Sequence, residues 1–110
     1  MSVEEILSLW FVQVTLIWPV AEELIFRGVI QGWLMERMPA GKTAILTRAN
    51  LMTSVLFAAA HLVYHSGLHA SLVFFPSLVF GYFRERYDGV WAPIALHVGY
   101  NACWFVIRNT

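Results

Sequence analysis

The stretch SLVFFPSLVFGYF, residues 71–83, is apolar on every side. A helix lying against water carries a polar stripe opposite its buried face, and this one has none. Three further stretches read the same way, so the chain divides into four expected spans. The first runs from about Ile6 through PVAEELIFRG, with a kink at Pro19 and a tail reaching Met38; the others cover Asn50 to Tyr64, Ala70 to Phe83 and Trp91 to Ile107. A full crossing takes about 20 apolar residues, so these are short. The composition agrees with lipid as the solvent. The chain is 59% hydrophobic and 13% charged, where soluble domains average about 45–50% and about 25%. The expected fold is all-α: a multi-pass transmembrane helical bundle of about four spans, residues 1–110 as one domain, surrounded by membrane lipid.

The connections ERMPAGKTAILTR, HSGLH and RERYDG hold most of the Pro, Gly and charge. Arg37, Lys42 and Arg48 fall in the first and Arg84 and Arg86 in the third, two crossings apart and therefore on one face. The positive-inside rule makes that face cytoplasmic and puts HSGLH outside, with Arg108 as a mild exception. The arginines and glutamate of RER are expected as a solvated end of the third span. Zero net charge gives no basic surface for phosphates, so nucleic acid is not an expected partner. Cys103, set among aromatic residues, is expected as a packed thiol. The acidic start MSVEEILSLW lacks the basic region of a secretory signal.

Three charged side chains, Glu22, Glu23 and Arg27, sit inside the first apolar run. Each costs about 2.5–3.5 kcal/mol at the centre of a spanning helix. Glu23 and Arg27 are i, i+4 neighbours and can pair. Glu22 points about 100° away from Glu23, unpaired, and an unpaired carboxylate in a dry site suits a general acid or base. A structural charge cluster is the plain alternative, but ionisable groups inside a membrane are functional by default. Phe57-x3-His61 and His97-x3-Asn101 each place two groups on one helical face. Ala58, Ala59 and Ala60 allow a neighbouring helix to come close to His61. Lipid disfavours polar groups, so the three clusters are expected to converge inside the bundle. A free carboxylate, two imidazoles and a carboxamide suit water activation with oxyanion stabilisation, the chemistry of acyl hydrolysis.

EELIFRG, FAAAH and HVGYN, in that order, resemble the signature motifs of the CAAX prenyl endopeptidase and bacteriocin-processing family of intramembrane proteases. The resemblance spans about residues 17 to 108. It implies a glutamate-dependent endopeptidase in which Glu22 and His61 activate water, His97 and Asn101 hold the oxyanion, and Glu23, Arg27 and Phe57 support the site. It also implies a peptide or protein substrate: a prenylated C-terminus, a bacteriocin-like peptide or a membrane-embedded sorting tail. No organic cofactor or metal is implied. Family members carry further spans upstream, so a homo-oligomer or a partner membrane chain is expected, in a bacterial or archaeal cytoplasmic membrane.

Two other functions fit some of the residues. His61, His65 and His69 recur at four-residue spacing, as zinc ligands do. Against a zinc protease, Gly67 is expected to end the helix before His69, no His-Glu-x2-His occurs, and His65 and His69 read as edge residues of the outer loop. A non-catalytic binding or self-immunity module is the rival from another class. Among the remaining features, Gly28-x3-Gly32 suggests close helix contact, and Trp10 and Trp18 an interface or aromatic belt. Pro76 suggests a kink. Asp88-Gly89 reads as a tight turn, and Pro93 as a first-turn proline.

Overall fold

A computed structural model describes residues 2–41 and 44–108, and Lys42 of the first connection lies outside them. Four helices follow one another: α1 over Val3–Arg37, α2 over Arg48–His61, α3 over Gly67–Arg86 and α4 over Trp91–Arg108. Among the described residues there is no strand, and the fold is the expected all-α bundle. Short polar side chains start three of the helices. Ser2 and Glu5 form a reciprocal capping box on α1, Thr47 accepts from the Asn50 N–H, and Ser66 accepts from the His69 N–H. Gly67 therefore opens α3 and does not close α2, which has already ended at His61. The expected Asp88-Gly89 turn is a helix stop. Asp88 takes φ 48° and the Gly89 N–H returns to the Arg84 carbonyl, a Schellman closure with aspartate in the left-handed position.

Between Thr15 and Gln31 the buried residues of α1 fall four apart: Thr15, Pro19, Glu23, Arg27 and Gln31. An α-helix turns every 3.6 residues, so each four-residue step overshoots by about 40° and such a column would drift toward the lipid side. Two wider, π-helical stretches, Gln13–Ile17 and Leu24–Gln31, take up that drift. The first also accommodates Pro19. The Trp18 N–H reaches back five residues to the Gln13 carbonyl, and Pro19 has no N–H to offer. The Val14 carbonyl is thereby left without a helical partner, and Asn101 of α4 donates to it at 3.0 Å. α3 continues through its own proline, Pro76, and Pro93 stands in the first turn of α4, where an N–H has no helical partner anyway.

The interior is polar and the exterior apolar. Of the described residues, the buried hydrophobic ones are Leu34, Ala49, Phe57, Ala70 and Phe80, against ten buried polar or charged ones. Large apolar side chains such as Ile25, Val29, Leu56, Phe75 and Val79 face outward. Water does not select this arrangement, whereas hydrocarbon does, because only polar groups lose by facing it. Cys103 follows the same logic and is exposed, not packed. It lies two residues beyond Asn101, on the opposite side of α4.

The closest helix approach is not at Gly28 and Gly32. A Cβ at Gly28 would make ordinary contact with Val90, and one at Gly32 would press only on the Arg84 guanidinium. At Gly81 a Cβ would overlap the Asn50 carboxamide. That carboxamide is held on both sides: its nitrogen donates to the Leu78 carbonyl at 2.9 Å and its oxygen accepts from Ser54. Gly81→Ala is expected to lower stability by about 1–3 kcal/mol, the usual range for overpacking. Thermal unfolding in detergent checks this, with Gly28→Ala as the near-neutral control.

Candidate active site

The interrupted α1 places Glu22 and Glu23 on the six-residue α-helical segment Trp18–Glu23, between its two wider stretches. Glu22 Oε2 stands 3.8 Å from His61 Nε2, at the last residue of α2, with the two side chains 29% and 16% exposed. His61 Nδ1 lies 2.7 Å from the Phe57 carbonyl. A carbonyl can only accept, so Nδ1 carries the hydrogen and the neutral ring presents a lone pair from Nε2. Both facing atoms therefore accept, and their separation exceeds a direct hydrogen bond. The Glu22 oxygen is buried with no hydrogen-bond partner. A water molecule seated to one side of the pair, within hydrogen-bond reach of both atoms, would donate to each.

Glu23 turns to the other side of α1 and is fully buried. Its Oε1 lies 3.2 Å from Arg27 Nε, but that N–H is not aimed at the oxygen, so the contact is coulombic, not a good hydrogen bond. Its Oε2 is 2.8 Å from His97 Nδ1. Arg27 Nη2 donates to the Ser77 carbonyl and hydroxyl at 2.9 and 2.7 Å. The chain of bonds continues from Ser77 to Ser54 and from Ser54 to Asn50. The Phe57 ring packs against His61, His97 and Phe26, with the Arg27 guanidinium 5.0 Å from its centre. Phe80 stacks on His97 at 4.9 Å.

The three sequence clusters therefore meet, but not around one point. Glu22 and His61 form one pair, while Glu23, His97 and Arg27 form a second group joined to the first through Phe57. With Nδ1 donating to the carboxylate, His97 must carry both protons to donate from Nε2. Asn101 is anchored by one amide hydrogen to Val14, leaving the second for any other acceptor. Ser77, Ser54, Asn50 and Phe80 were not singled out from the sequence. Asn50 and Ser54 are i, i+4 polar residues in an apolar span, the signal that also marks His97 and Asn101. Ser77 follows a proline, where nothing in the sequence sets it apart.

The expected solvated end of α3 is instead partly folded in. Glu85 Oε2 accepts from Gln31 at 2.6 Å and from Thr47 at 2.7 Å, and Arg84 donates to the Arg27 carbonyl at 2.9 Å. A cleft of about 570 Å³ at this end is lined by Met38, Ile45, Thr47, Tyr82, Glu85 and Arg86. It does not reach the Glu22–His61 pair. His65 and His69 stand beside His61, with ring centres 5.7 and 6.4 Å from it and 4.1 Å from each other. Among the described residues no group of three or more His, Cys, Asp or Glu side chains is arranged to hold a metal ion. The rings stack face to face, whereas shared ligation requires their in-plane nitrogens to converge.

An all-helical bundle that keeps acid, imidazole and guanidinium inside an apolar exterior belongs to the class of helical proteins whose polar interior works within lipid. The sequence model of a family described as type II CAAX prenyl endopeptidase Rce1-like matches residues 4–103. The chain belongs to that family of membrane proteases. Among the described residues one helix, Val3–Arg37, is by itself long and apolar enough to cross a bilayer. Comparison with curated proteins and with solved structures gives no significant match.

Proposed function

We propose that the chain is a multi-pass membrane endopeptidase that cuts a peptide bond with water activated by Glu22 and His61. The observation that carries this reading is the 3.8 Å approach of the buried Glu22 oxygen to Nε2 of the partly exposed His61. Water bridging them gives one proton to the carboxylate as it attacks the carbonyl carbon, and the carboxyl passes that proton to the leaving amine nitrogen as the C–N bond breaks. The negative charge that grows on the carbonyl oxygen needs donors in a dry site, and His97 in its doubly protonated form and the second amide hydrogen of Asn101 supply them. Glu23 balances the charge on His97 and Arg27 holds Glu23. The substrate is a peptide or protein segment at the membrane. The polar interior and apolar exterior support crossing by more than one helix, with lipid as the surrounding partner.

The reading is tested with detergent-purified protein incubated with prenylated and unprenylated peptides, with and without a strong chelator, and fragments read by mass spectrometry. Cleavage by the wild type that survives the chelator and disappears in His61→Ala is the expected result. Fragments of equal yield from His61→Ala, or none from a correctly folded wild type, overturn it. Binding of peptides without fragments would favour a non-catalytic module.

A further inference from the structure

We infer that the face of α1 turned away from the bundle is the contact surface for a second copy of this chain, with the Gln13 carboxamides of the two copies bonded to each other inside the membrane. This pairing does not depend on the hydrolytic reading above.

The first ten residues of α1, Val3–Val12, include no buried side chain. At this level α1 leans on α4, where Phe11 packs edge-on against Phe105 at 5.2 Å and Asn101 donates to the Val14 carbonyl. The opposite face carries Val3, Ile6, Trp10, Gln13 and Ile17, and every one is exposed. Their spacing alternates three and four residues, the period of about 3.5 at which one helix packs along another. The buried column of α1 begins at Thr15, two residues on from Gln13 and therefore on the far side of the helix. Ile6, Leu9, Trp10 and Gln13 line a shallow groove of about 260 Å³ on the outer face.

Lipid accounts for every residue of this row except one. Apolar side chains are at ease in hydrocarbon, but a carboxamide has two donors and an acceptor to satisfy and no water there to satisfy them. Gln13 is exposed, and among the described residues its side chain has no hydrogen-bond partner. No charged residue lies between Glu5 and Glu22. Gln13 stands eight residues inward of Glu5, about 12 Å along the axis, which is farther than its short side chain reaches.

The chemistry of the amide selects the occupant. A carboxamide is its own complement, so two of them face to face exchange donor and acceptor. For copies inserted the same way, a two-fold axis along the membrane normal sets α1 parallel to α1, each residue opposite its counterpart. Val3, Ile6, Trp10 and Ile17 then fill the seam, and Gln13 bonds to Gln13 of the partner subunit, as polar side chains do between membrane helices. One polar residue in such a row also fixes the register. Like charges do not oppose the approach: Glu4 points away from the row, and Glu5 folds back onto Ser2. The two polar interiors face away from each other.

Disulfide cross-linking of the full chain in membranes tests this. In a Cys103→Ala background, Ile6→Cys, Trp10→Cys and Ile17→Cys probe the row, and Leu7→Cys and Val12→Cys probe other exposed faces. After oxidation the three row variants are expected to run at twice the chain mass without reductant, and the two controls to stay single. Energy transfer between labelled copies diluted into lipid vesicles is expected to show pairing weakened about 3–20-fold by Gln13→Leu and less by Gln13→Asn. Equal cross-linking at all five positions, none at any, or pairing unchanged by Gln13→Leu overturns the inference. So does a row cross-link to a different protein, which would give the face to another membrane helix.

Discussion

Glu22→Gln is expected to lower kcat by about 10²–10⁴-fold, the range that a positioned general base contributes, with little change in folding. The amide keeps the shape of the carboxylate and can donate an N–H to the lone pair on His61 Nε2. It cannot take a proton from water. The neighbouring Glu23→Gln is expected to behave differently, because Glu23 stands between Arg27 and His97 and its loss leaves a buried guanidinium without an anion. That variant is expected to lose stability first and activity as a consequence. Purification yield, thermal unfolding and cleavage measured together on both variants separate the two behaviours. A Glu22→Gln protein with wild-type kcat would remove Glu22 from the chemistry, whatever the family.

Arg27→Ala is expected to cost about 3–5 kcal/mol of stability, the usual consequence of removing one member of a buried ion pair. The side chain is fully buried and fixes two helices at once, through Glu23 within α1 and through Ser77 on α3. Arg27→Lys retains the charge but has one nitrogen where the guanidinium uses several, so it cannot serve Glu23 and both Ser77 acceptors in the same geometry. An intermediate loss is expected. Unfolding midpoints in a single detergent, wild type beside both variants, decide this. An Arg27→Ala midpoint equal to that of the wild type would show the ion pair to be idle.

The four helices were legible because lipid leaves a simple mark, an apolar run without a stripe, and the observed bounds lie within about three residues of the expected ones. The pairing of Glu23 with Arg27 was legible because both lie on one helix, four residues apart. What the sequence hid depends on neighbouring helices or on backbone departures. The partner of Asn101 is a main-chain carbonyl released by Pro19, and no side-chain pattern announces a carbonyl. Glu85 looked like a water-facing residue because charge clusters usually are, yet Gln31 and Thr47 converge on it from two other segments. Gly28 and Gly32 matched a contact motif, but the neighbour that needs a missing side chain is found at Gly81.

The five buried residues spaced four apart along α1 make that helix a ruler whose divisions are longer than those of ordinary helix. Substitutions on its outer faces leave the scale intact. Gaining or losing one residue between Thr15 and Gln31 does not: everything on one side of the change swings by about 100°, and an acid meant for the cavity is delivered to the oily rim. On the outer faces of this segment length matters more than identity, and drift in length is expected to be tolerated in the connection around residues 39–46 and nowhere along the ruler.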